Sequence, residues 1–128
     1  MTKKWLNIVY KEKNPNRLKK HYKQWAGDYD NDLRAWGYAY PKKIKQILSK
    51  HIQIKKNSRI LDAGCGTGYV AETLIDLNYK NLVGIDYSKD MLEIARSKKI
   101  YKKLICQSLS KKTSMKSAQF DLVICTGV

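Results

Sequence analysis

The chain has 128 residues, 26 Lys and Arg against 11 Asp and Glu, a formal net charge of +15, and 43% hydrophobic residues. That length allows one domain with its own core, and no apolar run is long enough to span a bilayer or to form a secretory leader near Met1. Three cysteines (Cys65, Cys106 and Cys125) without C-x-x-C spacing argue against a disulfide framework or a thiolate zinc site and fit a reducing, cytoplasmic setting.

Arg17, Arg34, Arg59 and Arg96 are the only arginines, and the lysines are spread along the chain. The expectation is a solvated lysine-rich exterior that adheres to nucleic acid only non-specifically, at low salt.

Residues 1–20 are polar and basic, with Trp5, Ile8 and Val9 hinting at an amphipathic segment and Asn14-Pro15-Asn16 marking a turn or helix start. Tyr22, Trp25, Ala26 and Tyr29 follow at i, i+3, i+4 and i+7, which predicts one helical face turned to the core. Asp28, Asp30 and Asp32 have the spacing of a calcium loop but lack its glycine and distal glutamate, so no metal is inferred. His21 and His51 are isolated and read as surface or boundary residues. Pro41 opens a predicted helix with Ile44, Ile47, Leu48 and Ile52 as its apolar stripe and lysines on its wet face. Asn57-Ser58 ends it.

The sequence then reaches Ile60-Leu61-Asp62-Ala63-Gly64-Cys65-Gly66-Thr67-Gly68. A short apolar run predicts a buried parallel strand, and a helical pattern over residues 69–77 follows the glycines directly. Glycine allows positive φ and close approach of a ligand, and the helix start is expected to offer free N–H groups to an anionic group. The loop is not the dinucleotide fingerprint, because Tyr69 stands where its third glycine belongs, and no Lys-Ser/Thr pair makes it a P-loop. Asp62-Ala63-Gly64-Cys65-Gly66-Thr67-Gly68 resembles the first motif of class I S-adenosylmethionine (SAM)-dependent methyltransferases. Trp25-Ala26 with Tyr29-Asp30 is similar to the N-terminal segment of the small-molecule members. That resemblance implies that Tyr29 lies over the methionine end of SAM.

Downstream, Leu82-Val83-Gly84-Ile85 predicts a second buried strand running into Asp86. A carboxylate at a strand's C-terminal end can accept both hydroxyls of a ribose. It could instead cap the next helix, but Ser88 is available as the cap for residues 89–98. Gly84-Ile85-Asp86-Tyr87-Ser88 resembles the second methyltransferase motif, which implies that Tyr87 and Met91 border the adenine. Met91 could equally be core, with Leu92 and Ala95. A third strand is predicted around Leu104-Ile105-Cys106-Gln107-Ser108. Many relatives carry Asp there for the adenine amino group, so Gln107, Ser108 or a backbone N–H would have to substitute. Residues 100–109 and the N-terminal segment together resemble the Williams–Beuren-region methyltransferase-like group.

Lys111 to Ala118 reads as a polar loop, and Phe120-Asp121-Leu122-Val123-Ile124-Cys125 as a fourth strand similar to the family's F-D-x-V strand. Cys125 is expected to be a small buried hydrophobe beside the cofactor. Thr126-Gly127-Val128 would begin the loop facing the transferable methyl group.

The resemblance implies an α/β, Rossmann-like fold: a helical segment over 1–36 and a partial SAM-binding domain over 37–128. It also implies a parallel sheet in the order 3-2-1-4, truncated after strand 4. Strand 4 would then be an apolar edge able to pair with a second chain. The cofactor-binding set it implies is Tyr29, Asp62, Gly64, Cys65, Gly66, Gly68, Asp86, Tyr87, Met91, Gln107, Ser108 and Cys125. The expected activity is methyl transfer from SAM, giving S-adenosylhomocysteine (SAH), to a small-molecule acceptor, without an assigned catalytic base. The rival readings are an inactive SAM-binding or self-associating module and, on charge alone, RNA methylation.

Overall fold

A computed structural model describes residues 4–35, 37, 39–110, 112, 115 and 119–126. Most of the predicted 111–118 loop, and Gly127 and Val128, lie outside the described residues.

Four parallel strands form the frame: β1 (Ile60–Ala63), β2 (Leu82–Asp86), β3 (Lys103–Cys106) and β4 (Leu122–Cys125), in the order β3-β2-β1-β4. β1 is buried along its whole length, as an interior strand must be, and its register pairs Asp62 with Gly84 and Ala63 with Cys125. The chain direction of strand addition reverses between β1 and β4, so the carboxyl ends of β1, β2 and β4 border a crevice at the switch point of the sheet.

One face of the sheet packs Ile60, Leu82 and Ile124 against Leu48, Ala71, Leu74 and Tyr79. Leu48 belongs to α4 (Tyr40–Lys50), and Ala71 and Leu74 to α5 (Ala71–Asp76). On the other face Leu61, Ala63 and Ile85 meet Val83, Ile105, Met115 and Phe120. α6 (Lys89–Ser97) buries Met91, Leu92 and Ala95, and Ser88 caps it by accepting the Met91 N–H at 3.3 Å.

Three helices precede the sheet: α1 (Lys4–Lys11), α2 (Pro15–Trp25) and α3 (Tyr29–Ala35). Asn14 caps α2 by accepting the N–H groups of Asn16 and Arg17, with Pro15 pre-set for the first turn. α2 packs on both α1 and α6.

Three expectations are corrected here. Tyr22, Trp25 and Tyr29 do not share one helix, because turns over Ala26–Asp28 separate α2 from α3. Their rings still meet across the break, at 5.9 Å for Tyr22–Trp25 and 4.5 Å for Trp25–Tyr29. The buried Trp25 indole holds the bend by donating to Asp32 at 2.8 Å. The helix after the glycines starts at Ala71 rather than Tyr69, with Val70 at its N-cap. Cys125 is exposed rather than buried, because β4 has β1 on one side and no described strand on the other.

Candidate cofactor site

Gly64, Gly66 and Gly68 take φ values of 69°, 55° and 85°, so every second residue of the loop needs the left-handed region that glycine reaches without strain. Their surroundings differ. A Cβ on Gly66 would point into open space, whereas one on Gly68 would stand 3.1 Å from the Tyr101 ring. Gly66 therefore leaves room on the ligand side, and Gly68 leaves room for a side chain behind the loop.

Four of the loop's N–H donors are spent inside the protein. Gly64 and Cys65 donate to the Ile85 carbonyl at 2.8 and 3.0 Å, and Gly68 to Cys65 at 3.0 Å. Gly66 donates to Asp86 Oδ2 at 2.9 Å. The expected row of free N–H groups is thus absent from these four residues, and an anionic phosphate has little to bind there. Two buried carboxylates, Asp62 and Asp86, flank the loop instead. Their charge suits a ligand that is neutral or cationic at this end.

Asp86 closes the C-terminal end of β2. Its Oδ1 accepts the Ser88 N–H at 2.9 Å while its Oδ2 holds Gly66, which fixes the carboxylate between loop and helix. Each oxygen retains acceptor capacity. Burial raises its pKa against the lowering effect of the Ser88 and Gly66 N–H groups.

A cavity of about 480 Å³ lies in front of the loop. It brings together the predicted Tyr29, Gly64, Gly66, Asp86, Tyr87, Met91, Gln107 and Ser108, and Thr126 at the end of β4. Asp62, Cys65, Gly68 and Cys125 do not line it. The first three form the back of the loop. Asp62 is 2% exposed and accepts a 2.6 Å hydrogen bond from the Tyr101 hydroxyl. Cys65 is buried and its thiol is raised far out of the thiolate range, first by burial and then by the Asp62 and Asp86 charges, so it is no nucleophile.

The opposite wall was not anticipated. Val9 and Tyr10 of α1, Lys13, and Pro15, Leu18 and Tyr22 of α2 face the same cavity. The sequence marked Val9 in an amphipathic pattern, Pro15 in a helix start and Tyr22 in a core-facing stripe, but none of them as lining a cavity. Tyr22, Tyr87 and Asp86 are close enough to act on one another: burial, Tyr22 and Asp86 push the Tyr87 phenol up to about 12. The Tyr87 hydroxyl is buried with no hydrogen-bond partner among the described residues.

On the base side, Gln107 donates its backbone N–H to the Asp86 carbonyl and its side-chain amide to Lys112 O at 3.2 Å. Gln107 lines the cavity, and its Oε1 accepts none of the hydrogen bonds described here. Ser108 shares its hydroxyl with Ser110.

A polar cluster fixes the N-terminal helices to this loop. Asp30 of α3 receives hydrogen bonds from the Thr67 hydroxyl and from Lys98, and Lys98 also pairs with Glu72 at 2.9 Å. Arg34 stands 3.7 Å from the same glutamate. Acidic and basic partners in α3, α5 and the end of α6 thereby converge on the residue between Gly66 and Gly68.

Comparison with known proteins identifies the family. Residues 60–128 match the family described as a methyltransferase domain. Human methyltransferase-like protein 27 is 33% identical over 108 residues, covering 83% of this chain and 44% of its own length. A Methanococcus maripaludis structure assigned to the SAM-dependent methyltransferases superposes with a TM-score of 0.68 at 18% identity, over 82% of this chain and 50% of its own. The plantazolicin methyltransferase BpumL, solved with SAH, gives a TM-score of 0.55 at 18% identity, over 94% of this chain and 44% of its own. The chain thus spans about half the length of these relatives. With the family match over more than half of its residues and the β3-β2-β1-β4 sheet, the chain belongs to the class I SAM-dependent methyltransferases.

Proposed function

We propose that this chain forms the SAM-binding portion of a methyltransferase that acts on a small-molecule acceptor. One observation carries the reading: Asp86, fixed by Gly66 and Ser88, faces a cavity whose loop keeps the N–H groups of Gly64, Cys65, Gly66 and Gly68 occupied. Such a site favours a ribose diol beside a cationic amino acid and disfavours a phosphate.

The residues fit that cofactor. Asp86 accepts the two ribose hydroxyls. Tyr87 and Met91 border the adenine, and Gln107 and Ser108 meet its polar edge. Gly64 and Gly66 let the methionine portion approach the backbone, with Asp62, Cys65 and Gly68 supporting the loop from behind. Tyr29 covers the methionine end, and Cys125 and Thr126 stand at the strand end nearest the reacting group. Bound SAM supplies a methyl carbon made electrophilic by its sulfonium, so the protein's task is chiefly to hold an acceptor in line.

Calorimetric titration with SAH tests the assignment. Losing two charge-assisted hydrogen bonds predicts a weakening of about 10- to 100-fold for Asp86→Ala, with Asp86→Asn intermediate. Equal affinity in all three proteins would sink it.

A second reading is favoured by Val123, which is 56% exposed on β4. An apolar edge strand is a template for pairing, so a cofactor-binding module that associates through β4 without turnover is consistent with it. Light scattering over a hundredfold concentration range should then show a dimer that Val123→Lys disperses. A constant monomer removes this reading.

A further inference from the structure

Tyr101 lies just before β3, outside the cavity, and the function proposed above gives it no role. It nevertheless joins three pieces of the site. Its hydroxyl donates to Asp62 Oδ2 at 2.6 Å. A Cβ on Gly68 would stand 3.1 Å from its Cε2, and a Cβ on Gly84 2.9 Å from its Cε1. The ring is thus wedged between the last glycine of the loop and the middle of β2, and both glycines are needed to admit it.

Among the described residues, the groups that act on Asp62 are acids or neutral donors. They are Tyr101 before β3, Cys65 in the loop and Asp86 at the end of β2. No Lys or Arg appears among them. In a low-dielectric site a carboxylate without a cation or donor takes up a proton. The Tyr101 hydroxyl opposes that tendency, since it cannot itself ionise near neutrality and serves only as a donor.

We propose that Tyr101 is a positioning residue for the cofactor loop: wedged against Gly68 and Gly84, it donates to Asp62 and keeps that carboxylate ionised behind the loop, where its charge favours a cationic ligand. The inference rests on the SAM-binding reading. SAH carries an ammonium group in its methionine portion, so its binding should be linked to the loss of the Asp62 proton. Tyr101→Phe keeps the ring and removes the donor.

SAH affinity measured by calorimetry in the 128-residue chain from pH 5.0 to 8.5 tests this. The wild type should gain affinity with rising pH and level off near neutrality. Tyr101→Phe should reach the same plateau at a pH about one unit higher, with a deficit of about threefold at pH 6.5 that closes by pH 8.5. Asp62→Asn should bind with no pH-dependent gain over this range. A uniform loss at every pH in Tyr101→Phe would mean that the residue only props the loop, and overturns the proposal. So would a wild-type slope that persists in Asp62→Asn. Should Tyr101→Phe fail to fold, a wild-type slope that persists in Asp62→Asn still overturns the proposal. Wild-type protein that binds no SAH at any pH overturns the cofactor reading and this inference together, whereas binding with superimposable wild-type and Tyr101→Phe profiles overturns this inference alone.

Discussion

Asp62 and Asp86 are both buried acids at the ends of neighbouring strands, but the protein treats them differently. Asp86 is held by two backbone N–H groups, whereas the hydrogen bond to Asp62 comes from a phenol. Burial pushes Asp62 up to about 6, with Tyr101 opposing the rise and Asp86 adding to it. An acid whose folded pKa exceeds its unfolded value of 3.8 binds its proton more tightly in the native state. Its favourable contribution is complete below pH 3.8 and is lost as pH rises to about 6. Ionised Asp62 therefore costs the unliganded fold on the order of 3 kcal/mol above that range. Asp62→Asn keeps an acceptor for Tyr101 without the charge. Its melting temperature should exceed that of the wild type by several degrees at pH 8, with the gap narrowing at pH 4.5. A gap that does not change with pH would mean that Asp62 titrates in the folded chain as it does in the unfolded one, without the upward shift. The same cost explains why a carboxylate here signals ligand binding rather than stability.

At the scale of elements, the strands were the most legible part of the chain. Ile60–Ala63 and Leu82–Asp86 are short apolar runs ending in an acid or a glycine turn, and period and composition agree on a buried parallel strand. Ser88 was legible as a cap because it stands just before an apolar pattern of helical spacing. The bend at Ala26–Asp28 was not, because the aromatic spacing satisfies a helix, and the contact that breaks it joins Trp25 to Asp32 seven residues on. The free donors expected of the glycine loop were also misjudged. A D-x-G-x-G-x-G pattern specifies backbone angles, but Ile85 and Asp86, about twenty residues away, take up the N–H groups. Tyr101 and the Asp30–Thr67–Lys98–Glu72 cluster were invisible for the same reason. Nothing local marks a tyrosine or a lysine whose partners lie on other elements. The cavity residues on the glycine loop and β2 came from motif, and the α1–α2 wall came only from the fold.

For the whole molecule, the main consequence is that the cavity belongs to two layers. Gly64, Gly66 and Asp86 form one wall on the sheet, and Val9 of α1 with Leu18 and Tyr22 of α2 form the other, α2 packing against both α1 and α6. No helix among the described residues is long and apolar enough to cross a membrane. A ligand touching both walls must be released before α1 or α2 can open. Under linkage, exchange through such an opening is slowed by the factor by which ligand saturates the closed form, about 100-fold at 100 times Kd. Amide exchange of the chain with and without SAH should therefore show slowing in residues 15–25 as well as in 64–68 and 86–91. The basic surface gives no such pattern, since a polyanion bound across scattered lysines contacts neither wall in preference. Protection confined to the loop and α6 would mean that cofactor binding and the N-terminal helices are energetically independent, and that the α1–α2 wall serves some other ligand. Protection of both walls would make the N-terminal helices part of the cofactor site, with the Asp30–Thr67 contact as the joint that carries the coupling.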